Sequence, residues 1–195
     1  MTGPVEAMLL AIPVAALASA VVKNLKHSLA ALIVHALLCT IAPALGEPSK
    51  ALPALAFSVA AVAAVFAAAL RVLPSYEAEP PVTGSWVLIA FAAVPVVWAS
   101  ILCLPSQVLV FLVSAALGVY MMSIRRNLVK ASYGLVAFEN SLHGLLSQEV
   151  HIGPLMETPL SAVVFLTALL SSVLALVVYK TVGSLDTSSI RRLEW

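Results

Sequence analysis

Seven apolar runs, each about as long as a helix that crosses a bilayer, follow one another along the chain and set the terms for any fold. A hydrocarbon core about 30 Å thick asks for roughly 20 apolar residues of helix. Residues 5–22, 28–45, 51–73, 85–102, 107–124, 128–146 and 159–179 meet that demand or come close to it. Punctuation separates them: Lys23-Asn24, Gly46-Glu47-Pro48, the stretch 74–84 with Glu77, Glu79 and three prolines, Leu104-Pro105-Ser106, Arg125-Arg126-Asn127, and the polar loop 147–158. The runs are too long and too uniformly apolar for the ten-residue alternation of a membrane β-barrel. The expectation is an all-α, polytopic membrane protein of about seven transmembrane helices.

Composition excludes a water-soluble alternative. Of 195 residues 62% are apolar and 10% charged, against about a quarter charged in an average soluble domain, and the mean hydropathy is +1.08. Ten Lys and Arg with nine Asp and Glu cannot build a polar shell around a core of that length. The formal net charge of +1 and the scatter of the basic residues also argue against a nucleic-acid partner, which needs a clustered basic face.

Lys and Arg collect on the cytoplasmic side of membrane proteins. Seven crossings put Lys23, Lys26, Arg71, Arg125, Arg126, Lys130, Lys180, Arg191 and Arg192 on one side and only Lys50 on the other. Removing one helix would move every later charge across, so this asymmetry supports the count. It predicts an N-terminus outside and a cytoplasmic C-terminus. Residues 1–6 lack the basic start of a signal peptide, so the first run is read as a helix of the mature chain. The stretch 74–84, of a composition that neither packs nor spans, divides a three-helix region (1–80) from a four-helix region (81–195). Small residues recur on several helices, Ala11, Ala15, Ala18 and Ser19 among them, which lets backbones approach closely in lipid.

Chemistry-bearing residues are few. Cys39 and Cys103 lie apart, outside any Cys-x-x-Cys, and read as two small buried hydrophobes; no metal ligand set and no cofactor are expected. A charge at mid-membrane costs roughly 2.5 to 3.5 kcal/mol on insertion scales. Glu139 is the acid that incurs this cost, about 17 Å along the sixth helix at 1.5 Å per residue. His143 follows four residues later on the same face, with Ser132 and Val136 extending that face, so the two could share a proton or a hydrogen bond. Burial makes the charged form of either costly unless they stabilise each other. Two readings follow: a station in a proton relay, or a neutral carboxyl that bonds a neighbouring helix. His35, in the second helix, is a second candidate for the pathway, with a satisfied packing histidine as its alternative. Asn140 points about 100° away from Glu139 and is read as a helix-helix hydrogen bond.

The Arg-Asn-Leu turn in Ser123-Ile124-Arg125-Arg126-Asn127-Leu128-Val129-Lys130 leads into a helix with Gly134-Leu135, a membrane glutamate and Asn140. Further on come Thr158-Pro159-Leu160, Leu166-Thr167-Ala168 and Val182-Gly183-Ser184-Leu185-Asp186. From about residue 105 to 195 these features resemble complex I subunit K and its relatives among the multisubunit cation/proton antiporters. With Glu-Asn-x-x-His at Glu139, Asn140 and His143 they resemble in particular hydrogenase-4 component E, a membrane subunit of group 4 energy-converting hydrogenases. Residues 1–100 share only the general layout of helices. Subunit K carries one glutamate where this chain has Val136 and another in its last helix, where 159–179 holds no acid, so a two-glutamate relay within the chain is excluded.

The resemblance implies a non-catalytic membrane-arm subunit of a [NiFe]-hydrogenase or complex I-like assembly in the cell membrane, with antiporter-like membrane subunits as partners. Such a subunit would help couple electron transfer elsewhere to proton or sodium movement. Glu139 would be the protonatable centre, His143 its partner or next station, and Arg125, Arg126 and Lys130 the cytoplasmic boundary. A component of a multisubunit cation/proton antiporter and a purely structural scaffold subunit are the alternatives.

Overall fold

A computed structural model describes residues 3–45, 55–77, 85–149 and 154–190. Among these the fold is all-α, with two isolated β-bridges and no strand. The helices are α1 (Gly3–Val21), α2 (Leu25–Ala44), α3, which opens as a π-helical segment (Leu55–Ala61) and continues as α-helix (Val62–Ala69), α4 (Ser85–Ile101), α5 (Ser106–Ile124), α6 (Leu128–Glu149), α7 (Pro154–Val182) and the single turn α8 (Thr187–Ile190). Leu25–Ala44, Ser106–Ile124 and Met156–Val182 are long and apolar enough to cross a membrane. The described parts of α1, α3 and α4 are apolar but shorter. Helix α6 has 22 residues, yet Lys130, Glu139, Asn140 and His143 make it the most polar of the long helices.

Two helix starts lie three or more residues earlier than in the sequence reading. The second helix starts at Leu25 rather than near Ser28, because Asn24 caps it: its side-chain oxygen accepts from the backbone N–H of Lys26 at 3.0 Å and of His27 at 3.3 Å. Those groups are among the N–H donors that a helix start leaves without an intrahelical partner. The last helix begins at Pro154, so Pro159 lies inside it; Pro154 takes the first-turn position where a missing N–H costs nothing.

The same cap recurs. Asn127 accepts from Val129 N–H at 3.0 Å and Lys130 N–H at 3.3 Å. Each cap then meets a later loop in the same way. Leu25 N–H donates to the Ser75 carbonyl at 2.8 Å and Leu128 N–H to that of Leu185 at 2.9 Å. In return Glu77 N–H donates to the Lys23 carbonyl at 3.0 Å, and Thr187 N–H to that of Arg126 at 2.8 Å. The units α1–α2–α3 and α5–α6–α7 therefore share one pattern of connections, and α4 carries the chain from one to the other. Across the molecule each helix packs on its counterpart: α1 on α5, α2 on α6, α3 on α7. The segment 74–77 thus packs, contrary to the expectation for that stretch, because its backbone groups complete the helix ends beneath it. Residues 78–84 lie outside the described residues.

The main core draws on both units, with Leu25, Leu29, Leu32, Val62 and Phe66 from the first against Met121, Val129, Tyr133, Val136, Val164 and Ala168 from the second. Phe66 meets Tyr133 edge to face at 4.8 Å between ring centres, a preferred aromatic geometry. Helices α5 and α6 approach closely at Gly118 and Gly134, where a Cβ on either would stand 2.7 or 2.6 Å from the other's carbonyl oxygen. In contrast α4 and α7 present wide apolar faces outward, including Trp86, Ile89, Trp98, Leu166, Leu170 and Leu174.

Candidate functional site

Three groups of polar side chains inside the bundle include residues of α6. The first lies at the end where the loops around residues 23, 75, 125 and 185 meet. Lys130 is fully buried, and its ammonium donates to the Ser19 carbonyl and, at 2.8 Å, to the Ser28 hydroxyl. The Arg125 guanidinium donates to the Ala20 carbonyl and to the Glu77 carboxylate at 3.2 Å. Ser19 and Ala20 belong to the last turn of α1, whose carbonyls have no intrahelical partner and carry the negative end of the helix dipole. Two cations of the second unit thus close the first helix of the first unit. Burial pushes the Glu77 carboxyl above the usual carboxylate range, while Arg125, Lys130 and Lys23 pull it back.

This end holds the residues assigned to the cytoplasmic boundary, but Arg125 and Lys130 are buried within the bundle and only Arg126 is partly exposed. Lys50, Arg191 and Arg192 lie outside the described residues. Sequence reasoning misses the pairing of Glu77 because its neighbours, Pro74 and Pro80-Pro81, mark it as loop. Two near-identical helix starts, Lys23-Asn24-Leu25 and Arg126-Asn127-Leu128, are the signal that a matching loop should follow each unit.

The second group is Glu139, halfway along α6 and half-buried. The Thr167 hydroxyl of α7 donates to its Oε1 at 2.9 Å, and Oε2 is buried without a hydrogen-bond partner. No hydrogen bond joins Glu139 to His143 among the described residues; the glutamate faces α7. Its partner is thus the threonine of Leu166-Thr167-Ala168, a residue that the spacing within α6 could not indicate.

The third group lies between α2, α6 and the start of α7. His35 is fully buried, with its Nε2 3.3 Å from the Ser141 hydroxyl and 3.5 Å from the Cys39 sulfur. Cys39, Thr40, Pro43, Asn140, His143, Gly144, Ser147 and Glu157 line a cavity beside it, and Ser147 donates to Glu157 at 3.2 Å. Asn140 is buried here with its amide nitrogen unpartnered, so the neighbouring-helix bond expected of it is not made by that nitrogen. His143 and Asn140 therefore belong with His35 rather than with Glu139. Cys39 is buried as expected, whereas Cys103 is exposed in the turn after α4. That turn needs a left-handed residue, φ 50° at Cys103, which carries it out of the helix pair.

No group of three or more His, Cys, Asp or Glu side chains suited to a metal ion occurs among the described residues. Comparison with protein families, curated proteins and solved structures finds no match to this chain.

Proposed function

We propose that this chain is a multi-pass cell-membrane subunit of an ion-coupling complex, of the kind formed by group 4 [NiFe]-hydrogenases and complex I-like assemblies. It would cross the membrane seven times with its N-terminus outside, and the redox centres would reside in partner subunits. One observation carries the reading: a carboxylate, Glu139, held at the middle of a 22-residue helix inside an apolar bundle, where charge is costly unless it has a use. The resemblance of residues 105–195 to hydrogenase-4 component E supplies the class of complex. In this role Glu139 gains and loses the coupling proton, and no residue of this chain performs redox chemistry.

A structural role has its own support, since the bond from Thr167 to Glu139 would join α6 to α7 with the carboxyl neutral. Affinity purification of the tagged full chain from its native membrane tests the class of complex. Co-purification of nickel-iron and iron-sulfur subunits is the expected result. Antiporter-type subunits alone would replace the hydrogenase reading with the antiporter one, and a chain isolated without partners would contradict both.

A further inference from the structure

The third polar group is built differently from the other two, because it surrounds space. Its cavity measures about 10 Å³ to the centre of a water-sized sphere, which is about the room one water molecule needs. A buried water also needs two to four polar partners. The lining offers the unpartnered Asn140 amide nitrogen, which is 3% exposed, together with Thr40, His143 and the Ser147–Glu157 pair. An empty cavity of that lining would leave a buried donor unsatisfied, which forfeits the hydrogen bond that water would otherwise give it.

Polar contact continues inward from the cavity wall. Cys39, which lines it, touches His35, and His35 touches Ser141. Beyond them, toward the basic end, Leu32, Val136 and Ala137 close the α2–α6 interface with fully buried apolar side chains. At the other end the cavity reaches Pro43, Ser147 and Glu157, close to the ends of α2 and α6 and the start of α7.

We infer that the space between α2, α6 and α7 is a hydrated inlet, entered from the end opposite the basic loops and blind at His35, that admits water and with it protons. Asn140 and His143 hold the water, and His35 stands at the inner end with Ser141 and Cys39 as its neighbours. The hydration is independent of the proposed function, whereas a use for it in ion coupling rests on that reading. Glu139 is not part of the cavity lining and is bonded instead by Thr167 of α7, so the two can be tested apart.

Cys39 is a reporter placed in the cavity wall. In the full chain carrying Cys103→Ser, kept in native membranes, silver ion is small enough to follow water, and its reaction with Cys39 blocks later labelling by maleimide after denaturation. Silver added from the outer face should block Cys39. A cysteine placed at Leu170, an exposed apolar position of α7, in a chain that also lacks Cys39, should stay unblocked over the same time. Asn140→Leu, which fills the cavity, should leave Cys39 unblocked by silver, and Thr40→Leu, which enlarges another residue of the lining, provides a second variant if Asn140→Leu fails to assemble. A Cys39 no more reactive than the Leu170→Cys control, or one equally reactive in the filled variants, overturns the inlet. A silver-accessible Cys39 in a complex whose turnover is unchanged by Glu139→Gln keeps the inlet and removes the coupling role of Glu139.

Discussion

The Lys130 ammonium sits on the Ser19 carbonyl, so a side chain of the second three-helix unit closes the last turn of the first helix of the other. Arg125 does the same at Ala20 and also holds Glu77. The polar end of the molecule is therefore a clasp between its two similar halves.

Breaking one partner of a buried ion pair leaves an uncompensated charge and costs about 3–5 kcal/mol, whereas replacing both partners by apolar residues is often far milder. Arg125→Leu should accordingly lower the thermal unfolding temperature of the detergent-solubilised protein sharply. The double variant Arg125→Leu with Glu77→Leu should recover much of that loss. A double variant as unstable as the single one would show that Glu77 contributes nothing to the clasp.

The two helix caps should behave alike. Asn24→Ala and Asn127→Ala each remove an oxygen that accepts two backbone N–H groups, and each should cost about 0.5–2 kcal/mol, read from the unfolding midpoint. A large effect at one site and none at the other would argue against equivalent units.

Gly118 and Gly134 face each other where α5 and α6 cross, and a methyl group on either meets the opposite backbone below 3 Å. Gly118→Ala and Gly134→Ala should each destabilise by about 1–3 kcal/mol, the range for overpacking. Introduced at Gly183 instead, alanine meets open space but inherits φ +73°, a left-handed strain of about 1–2 kcal/mol. Thermal unfolding of the three variants separates packing from backbone strain, since only the first two should also weaken α5–α6 proximity in a cross-linking assay.

The helices were legible because apolar run length and the punctuation between runs are one-dimensional signals. The starts expected at residues 85, 107 and 128 fall within a residue of those observed. What the sequence concealed lay in pairings across the chain. Glu77 could not be paired with Arg125 from spacing alone, and the partner of Glu139 proved to be Thr167 of another helix rather than His143 one turn away. Spacing by four residues places two side chains on one face, but neighbouring helices decide what each side chain meets. The regrouping of His143 and Asn140 with His35 has the same cause.

Sidedness has a built-in probe. In the seven-span layout the exposed Cys103 and residues 147–148 lie outside and Arg126 inside. Membrane-impermeant maleimide applied to right-side-out vesicles should label native Cys103, and also Gln148→Cys in a chain lacking Cys39 and Cys103. It should miss Arg126→Cys in the same cysteine-free background. The reverse pattern would invert the topology.

Glu139 is the centre of the functional account, and glutamine keeps its hydrogen-bonding shape toward Thr167 while removing the ionisable proton. The decisive measurement is coupled turnover and ion translocation by the intact complex carrying Glu139→Gln, normalised to the amount assembled. Normal assembly with a severe loss of ion translocation is the predicted result. Full coupled activity in an assembled Glu139→Gln complex would contradict the coupling role and leave Glu139 as a neutral bond between α6 and α7.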